Sequence, residues 1–267
     1  MLFFIDVIAL LAVATGALIV GRVLRLPSIV AYLIAGVLVG PGGLGLVSRT
    51  DPIGQLAELG VATVHEAIGR AGYLGPGLRP IQDGVRTGGT AVTALCWPGD
   101  NLMIHAAVEQ CQAGDLLVVT TTSPCTDGMF GELLATSLAA RGVRGLVIEA
   151  GVRDVAELRA MGFGVWSAAV SAQGTVKETA GSVNVPVSIG GQIVRPGDAI
   201  IADDDGVVCV PRADVGQALE AARARVAKEK QSRKALADGQ LGLDLYGLRD
   251  KLAARGVRYV PAGDQDS

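Results

Sequence analysis

The chain has 267 residues and a formal charge of −3, from 23 Lys and Arg against 26 Asp and Glu, which gives no electrostatic case for a nucleic-acid partner. Half of the residues are hydrophobic and only 4% are aromatic, so any core is built mainly from Ala, Val, Leu and Ile. Cys96, Cys111, Cys125 and Cys209 have no CxxC spacing and no nearby histidines, which argues against structural zinc and reads as reduced, half-buried thiols of a cytosolic protein.

In chain order, residues 2–20 form an almost wholly apolar run, interrupted by Asp6, and residues 28–46 form a second, broken by glycine and proline at 40–43. The first has about the length of a transmembrane helix, for which ~20 apolar residues suffice. It fits a secretory signal badly: no basic residues precede it, and Gly21-Arg22-Val23 follows where a small-x-small cleavage site belongs. From Ile53 onward the pattern becomes that of an α/β domain. Residues 53–70 have helical spacing of apolar positions. Residues 91–95, 116–120, 145–148, 185–189, 199–202 and 207–210 are short, β-branched-rich strand candidates bounded by Gly, Pro or Asp. Helical patterns at 102–110, 132–141, 155–161 and 213–236 alternate with them, and the charge-rich stretch 223–234 reads as a solvated or intersubunit face.

Two places carry chemistry. After the strand at 115–120, a loop leads to Gly131-Glu132-Leu133-Leu134, a helix entry whose free backbone N–H groups suit a carboxylate or phosphate, or which is a plain helix cap. The next strand runs into Glu149-Ala150-Gly151-Val152-Arg153-Asp154. An Arg-Asp pair at the carboxyl end of a buried strand sits where open α/β sheets place ligands. Arg offers a planar fork for a carboxylate and Asp a hard oxygen for a divalent cation; the alternative is an ordinary ion pair capping the helix at Val155.

Taken in order, Gly131-Glu132-Leu133-Leu134, Arg141-Gly142-x-x-Gly145, Ile148-Glu149-x-Gly151-x-x-Arg153-Asp154 and Gly174-Thr175-Val176-Lys177-Glu178 resemble the metal-dependent pyruvate aldolases. These act on 4-hydroxy-4-methyl-2-oxoglutarate and 4-carboxy-4-hydroxy-2-oxoadipate, and share their fold with the regulators of ribonuclease E activity. The resemblance extends over some 200 residues, from Val61-Ala62-Thr63-Val64-His65-Glu66-Ala67 through Pro98-Gly99-Asp100-Asn101 and Asp203-Asp204-Asp205-Gly206-Val207 to Arg255-Gly256-Val257-Arg258-Tyr259-Val260. Its most specific element is an acid, twenty residues, then Arg153-Asp154; the acid here is Glu132, where the family often has Asp.

The resemblance implies an α/β fold, a layered β/β/α swivelling-type domain over residues 51–260, preceded by one or two hydrophobic helices that read as candidate membrane spans and followed by a disordered tail at 261–267. It implies a homotrimer or homohexamer. Asp154 is then the direct metal ligand, with Glu132 and a neighbouring subunit's Glu229 each holding a metal-bound water. Arg153 binds the pyruvyl carboxylate and developing enolate oxygen, helped by the backbone of Gly131, Leu133 and Leu134, and Asn101 lines the pocket. The implied reaction is retro-aldol cleavage to pyruvate, with oxaloacetate decarboxylation as a side activity; the general base is open. The alternative is a non-catalytic regulator of the ribonuclease E type.

Elementary chemistry agrees with the metal route. Aldol cleavage needs an electron sink at the ketone, an iminium on Lys or a metal ion. All lysines but Lys177 lie in the charged carboxyl-terminal segment, poor settings for a desolvated amine. His65 and His105 are too few for a histidine-rich zinc site and read as packed helix residues. Oxygen ligands and water point to Mg2+ or Mn2+.

The segment from Leu26-Pro27-Ser28-Ile29-Val30-Ala31-Tyr32 through Gly40-Pro41-Gly42-Gly43-Leu44-Gly45-Leu46 resembles the amino-terminal helices of monovalent cation:proton antiporters. Those transporters need many spans carrying intramembrane charges, and nothing after Gly60 supplies them. The two resemblances meet inside Leu56-Ala57-Glu58-Leu59-Gly60-Val61, which reads either as a fusion joint or as the end of a membrane anchor. An anchor with both runs spanning conflicts with the positive-inside rule, since Arg22 and Arg25 favour a cytoplasmic loop between the runs and export the aldolase domain.

Overall fold

The computed structural model describes residues 15–17, 19, 21–22, 26–39 and 51–260, in two compact units, Met1–Asp51 and Pro52–Ser267. The first unit carries α1 (Ser28–Val39), whose 12 residues reach only about 18 Å, against the roughly 30 Å of a bilayer core. Among the described residues no helix is long and apolar enough to cross a membrane, so the candidate spans gain no support. Most of the run 2–20 and the expected tail at 261–267 lie outside the described residues.

The second unit opens with α2 (Pro52–Leu59) and α3 (Val61–Ala67), followed by β1 (Arg79–Pro80), β2 (Thr87–Cys96), α4 (Leu102–Gln110) and β3 (Asp115–Thr121). Then come β4 (Gly128–Phe130), α5 (Glu132–Ala140), β5 (Gly145–Val152), α6 (Val155–Met161) and β6 (Gly164–Val170). The short strands β7 (Ser182–Val183), β8 (Val187–Ile189) and β9 (Gln192–Val194) lead into β10 (Ala199–Asp203) and β11 (Gly206–Val210). The helices α7 (Val215–Ala237), α8 (Gly242–Leu245) and α9 (Leu248–Ala254) close the described chain. The single helical pattern at 53–70 is two helices because Gly60 takes φ 88°, a left-handed conformation that ends α2, and the Val61 N–H then bonds the Asp203 carboxylate at 2.9 Å.

The main sheet has the order β1-β6-β5-β3-β2-β10-β11. Its centre, β6-β5-β3-β2, is parallel, and β10 and β11 add antiparallel at one side. The layered arrangement expected from sequence is realised as one strongly curled sheet. Trp166 on β6 donates its indole N–H to the Asp203 carbonyl on β10 at 2.8 Å, although three strands separate β6 from β10. Residues 73–80 cross the remaining gap, bridging β11 at Tyr73–Val208 and β6 at Arg79–Ser167, so the sheet is nearly a closed barrel.

Alternation along the strands fills both faces. Leu116 and Val118 of β3, Ile200 and Ala202 of β10 and Trp166 point into the curl with Leu74, Val187, Ile189 and Val207. Leu117 and Val119 face outward against Ile104 and Ala107 of α4 and Leu134 and Leu138 of α5. A third cluster packs α2, α3 and the first half of α7 on Ile201, Val208 and Val210. The cysteines are free, and burial pushes the Cys96, Cys111 and Cys209 thiols up to about 12, which keeps them protonated and inert.

Candidate active site

The parallel centre of the sheet delivers β5 beside β4, and both strands end at one place. β4 pairs with β5 through Gly128–Gly151 and Phe130–Val152, and the Arg153 N–H continues the ladder to the Phe130 carbonyl at 2.8 Å. Asp154 follows at φ 55°, ψ 42°, a left-handed conformation that aspartate tolerates better than most residues. Non-glycine residues held this way cluster at functional sites. From there the Asp154 Oδ2 accepts the N–H of Glu132, first residue of α5, at 3.1 Å. Arg153 Nε lies 3.7 Å from the same oxygen.

Gly131 makes this approach feasible. Its backbone is extended, so the requirement is space: a Cβ there would sit 2.3 Å from Asp154 Oδ2 and 3.1 Å from Arg153 Cγ. Glu132 turns along its own helix, accepting the Thr136 hydroxyl at 2.9 Å on Oε1. The N–H groups of Leu133 and Leu134 lie in the first turn, where a helix supplies no acceptor of its own. Leu134 is buried, whereas the Leu133 side chain is 79% exposed beside the cleft, an unusual setting for leucine that suits a surface covered by another group.

Gly131, Leu133, Leu134, Arg153 and Asp154 line a cleft of about 110 Å³ together with Asn101, His105, Gly128, Met129 and Lys177. Asn101 is 7% exposed; its amide donates to the Met129 carbonyl at 3.0 Å, while its Oδ1 has no partner among the described residues. A buried acceptor left this way is costly until a donor arrives, so it marks where a ligand hydroxyl or amine fits. Partial desolvation against the cleft wall, and then the charge of Lys177, hold His105 below the ordinary histidine value, which keeps it neutral near pH 7.

The structure therefore brings together Gly131, Leu133, Leu134, Arg153, Asp154 and Asn101 along one cleft, whereas Glu132 joins them through its backbone N–H, with its carboxylate turned to Thr136. His105, expected as a packed helix residue, is exposed on the cleft wall; its position one helical turn from Asn101 was the available signal. His65 does sit at a helix end, with Nδ1 3.0 Å from the Ala71 carbonyl and its ring against Tyr73. Lys177 is the functional candidate that element patterns miss, because it stands on an irregular strap. Glu229 does not reach this cleft within one chain. It lies on α7, 2.7 Å from Arg225, which in turn faces Glu66 at 3.5 Å.

The donor set is informative about the implied metal. Among the described residues no three His, Cys, Asp or Glu side chains converge, so a zinc cage is not built here. Among the described residues no hydrogen bond engages Asp154 Oδ1, while the Glu132 carboxylate bonds the Thr136 hydroxyl one turn along α5. One carboxylate plus water and substrate oxygens is the ligand set that Mg2+ accepts. The residues fit that group.

The family profile described as Aldolase/RraA (RraA-like) matches residues 61–209. The chain belongs to the RraA-like family. A Halalkalibacterium halodurans protein named as a candidate 4-hydroxy-4-methyl-2-oxoglutarate aldolase is 26% identical over 199 residues, covering 74% of this chain and 95% of its own. A Burkholderia multivorans protein of the same name is 37% identical over 155 residues, covering 57% and 94%. The crystal structure of Streptomyces coelicolor RraAS2, described as an unusual member of the RNase ES inhibitor RraA family, superposes with TM-score 0.62 at 27% identity, covering 69% of this chain and 96% of that one. The family match begins at residue 61, so the antiporter likeness of the amino-terminal segment gains no support from it.

Proposed function

We propose that this RraA-like chain is a divalent-metal pyruvate aldolase that cleaves 4-carboxy-4-hydroxy-2-oxoadipate, 4-hydroxy-4-methyl-2-oxoglutarate, or both. The observation that carries the reading is the shared cleft of Arg153, Asp154 and the open first turn of α5, held by the contact from Asp154 Oδ2 to the Glu132 N–H. Asp154, with Glu132 beside it, would hold a Mg2+ or Mn2+ ion, which would supply the Lewis acidity for the breaking bond. The chain's own residues do the remaining work. Arg153 pairs its guanidinium with the substrate's keto-acid end, where two parallel N–H donors match a carboxylate. The Leu133 and Leu134 N–H groups add donors where negative charge develops as the C3–C4 bond breaks. Asn101 Oδ1 accepts a hydrogen bond from the C4 hydroxyl, which orients the bond to be broken; the hydroxyl proton passes to a solvent base as the C4 carbonyl forms and the C3–C4 bond breaks. A product enolate of pyruvate is then protonated from solvent. Oxaloacetate decarboxylation passes through the same enolate and is expected as a side activity.

Enlarging Gly131 tests the geometry. Gly131→Ala drives its Cβ against the tip of Asp154, a side chain that can swing away, so the fold survives while the carboxylate moves. Pyruvate release is expected to fall by roughly 10²-fold, the usual cost of misplacing a catalytic group by about 1 Å. Steady-state kinetics beside an unchanged circular dichroism spectrum checks it.

A homo-oligomer, trimer or hexamer, completes the proposed site. Beyond Ala222 α7 has no buried residue, and Val226, Leu236, Leu241 and Tyr246 are exposed, an apolar surface suited to a neighbour. Glu229 of that neighbour is proposed to hold a second metal-bound water. Mixing inactive Asp154→Ala and Glu229→Ala subunits is expected to restore part of the activity; no recovery in verified mixed oligomers contradicts the shared site.

The second reading, a regulator without catalysis, is favoured by the likeness to RraAS2. A coupled pyruvate assay with both aldols decides between them. Pyruvate from either supports the enzyme; none from both, with binding to ribonuclease E, supports the regulator.

A further inference from the structure

Lys177 belongs to no regular element, yet its strap is fixed. Val176 pairs with Asp100 in an isolated parallel bridge, its N–H bonding the Gly99 carbonyl at 2.9 Å and its carbonyl accepting the Asn101 N–H at 3.0 Å. Beyond Lys177, the N–H groups of Glu178 and Thr179 both reach Asp100 Oδ2, at 2.9 and 2.6 Å. The other oxygen, Oδ1, accepts the N–H of Leu102 at the start of α4, 2.9 Å away. Asp100 is 3% exposed. One buried carboxylate thus knots the strap that carries Lys177 to the helix that carries Asn101 and His105. The Lys177 ammonium itself has no ion-pair or hydrogen-bond partner among the described residues, although it lines the cleft.

We propose that Asp100 is a positioning residue: it holds Lys177 beside His105 in the cleft shared with Arg153, where the ammonium takes the carboxylate at the far end of a keto-acid substrate. Arg153 and Lys177 then read the two ends of one ligand, which selects dicarboxylic and tricarboxylic 2-keto acids over pyruvate-sized ones. Burial pushes the Asp100 carboxyl up, but the N–H groups of Leu102, Glu178 and Thr179 outweigh it and hold the carboxyl below the ordinary aspartate value. A depressed carboxyl contributes fully above its unfolded-state value and is lost as pH falls through its folded-state one, so the knot persists across the neutral range.

The substrate arm rests on the aldolase reading, whereas the positioning arm does not. With only two histidines in the chain, His105 can be followed by NMR titration of the full-length protein. Lys177→Met is expected to shift its titration upward. Asp100→Asn is expected to shift it the same way by releasing the strap and with it the Lys177 ammonium; in the Lys177→Met background that rise is absent, and only the small downward effect of losing the Asp100 charge is left. Asp100→Ser keeps a short side-chain acceptor for Leu102 while failing to reach the strap, so it serves if Asp100→Asn does not fold. In kinetics with 4-carboxy-4-hydroxy-2-oxoadipate, Asp100→Ser is expected to raise KM roughly tenfold, more than it lowers kcat, the effect of one charge-assisted hydrogen bond. That penalty disappears in the Lys177→Met background. A change at Asp100 that moves the His105 titration equally in the wild-type and Lys177→Met backgrounds, or a KM penalty equal in both, overturns the proposal. A wild-type chain without aldolase activity removes the aldolase reading and leaves the titration to decide the positioning.

Discussion

Replacing Asp154 by asparagine is expected to lower metal-supported pyruvate release by roughly 10³-fold or more while leaving the fold intact. Asparagine tolerates the left-handed backbone at φ 55° and keeps an oxygen for the Glu132 N–H, so the α5 entry is preserved. What it removes is the negative charge of the proposed metal ligand. Asp154→Ala is expected to lose activity as fully and also some local stability, because it removes the acceptor for Glu132 and places alanine in a conformation it resists. Calorimetric metal binding beside kinetics separates the two effects. An asparagine variant that binds Mg2+ weakly and turns over slowly supports the ligand role, and one that retains full rate refutes it.

The second large effect is expected at Arg153. Arg153→Lys keeps the charge but replaces a rigid fork with a point donor on a flexible stem. The fork is held by its surroundings: Cβ and Cγ pack over the spaces left by Gly128 and Gly131, and Nε lies 3.7 Å from Asp154. A lysine there meets the keto acid through one contact at best. The expected loss in kcat/KM is about 10²-fold, carried more by kcat than by KM, since the missing donor matters most where charge develops. A loss confined to KM would mean that Arg153 only anchors the substrate.

Much of the larger unit was legible because its strands are β-branched runs buried on both faces, and such runs announce themselves between glycines. β6 was not, since Gly164, Ser167, Ala168 and Ala169 give it little β-branched character, and its place comes from pairing with β5. The break at Gly60 was hidden because apolar spacing continues across it; only the Asp203 carboxylate, 142 residues away, explains where α3 starts. At the site, the residues alone left a helix cap at Glu132 and an ion pair at Arg153-Asp154 open, and it was the family resemblance, an acid followed after twenty residues by Arg-Asp, that singled them out. Lys177 was not readable as a cleft residue. Its position is set by Asp100 through bonds to Glu178 and Thr179, 78 and 79 residues away, and no local propensity encodes such a tie. Glu229, paired with Arg225 within this chain, is proposed to act from a second copy, a role that came from the resemblance alone.

The aldolase assignment is tested most directly by incubating the full-length chain with 4-carboxy-4-hydroxy-2-oxoadipate and following pyruvate and oxaloacetate together. With Mg2+ present the two products are expected in equal initial amounts, falling to background on chelation and returning when the ion is restored. Pyruvate formation that continues unchanged in chelator, or none at all with Mg2+ or Mn2+ supplied, would contradict it.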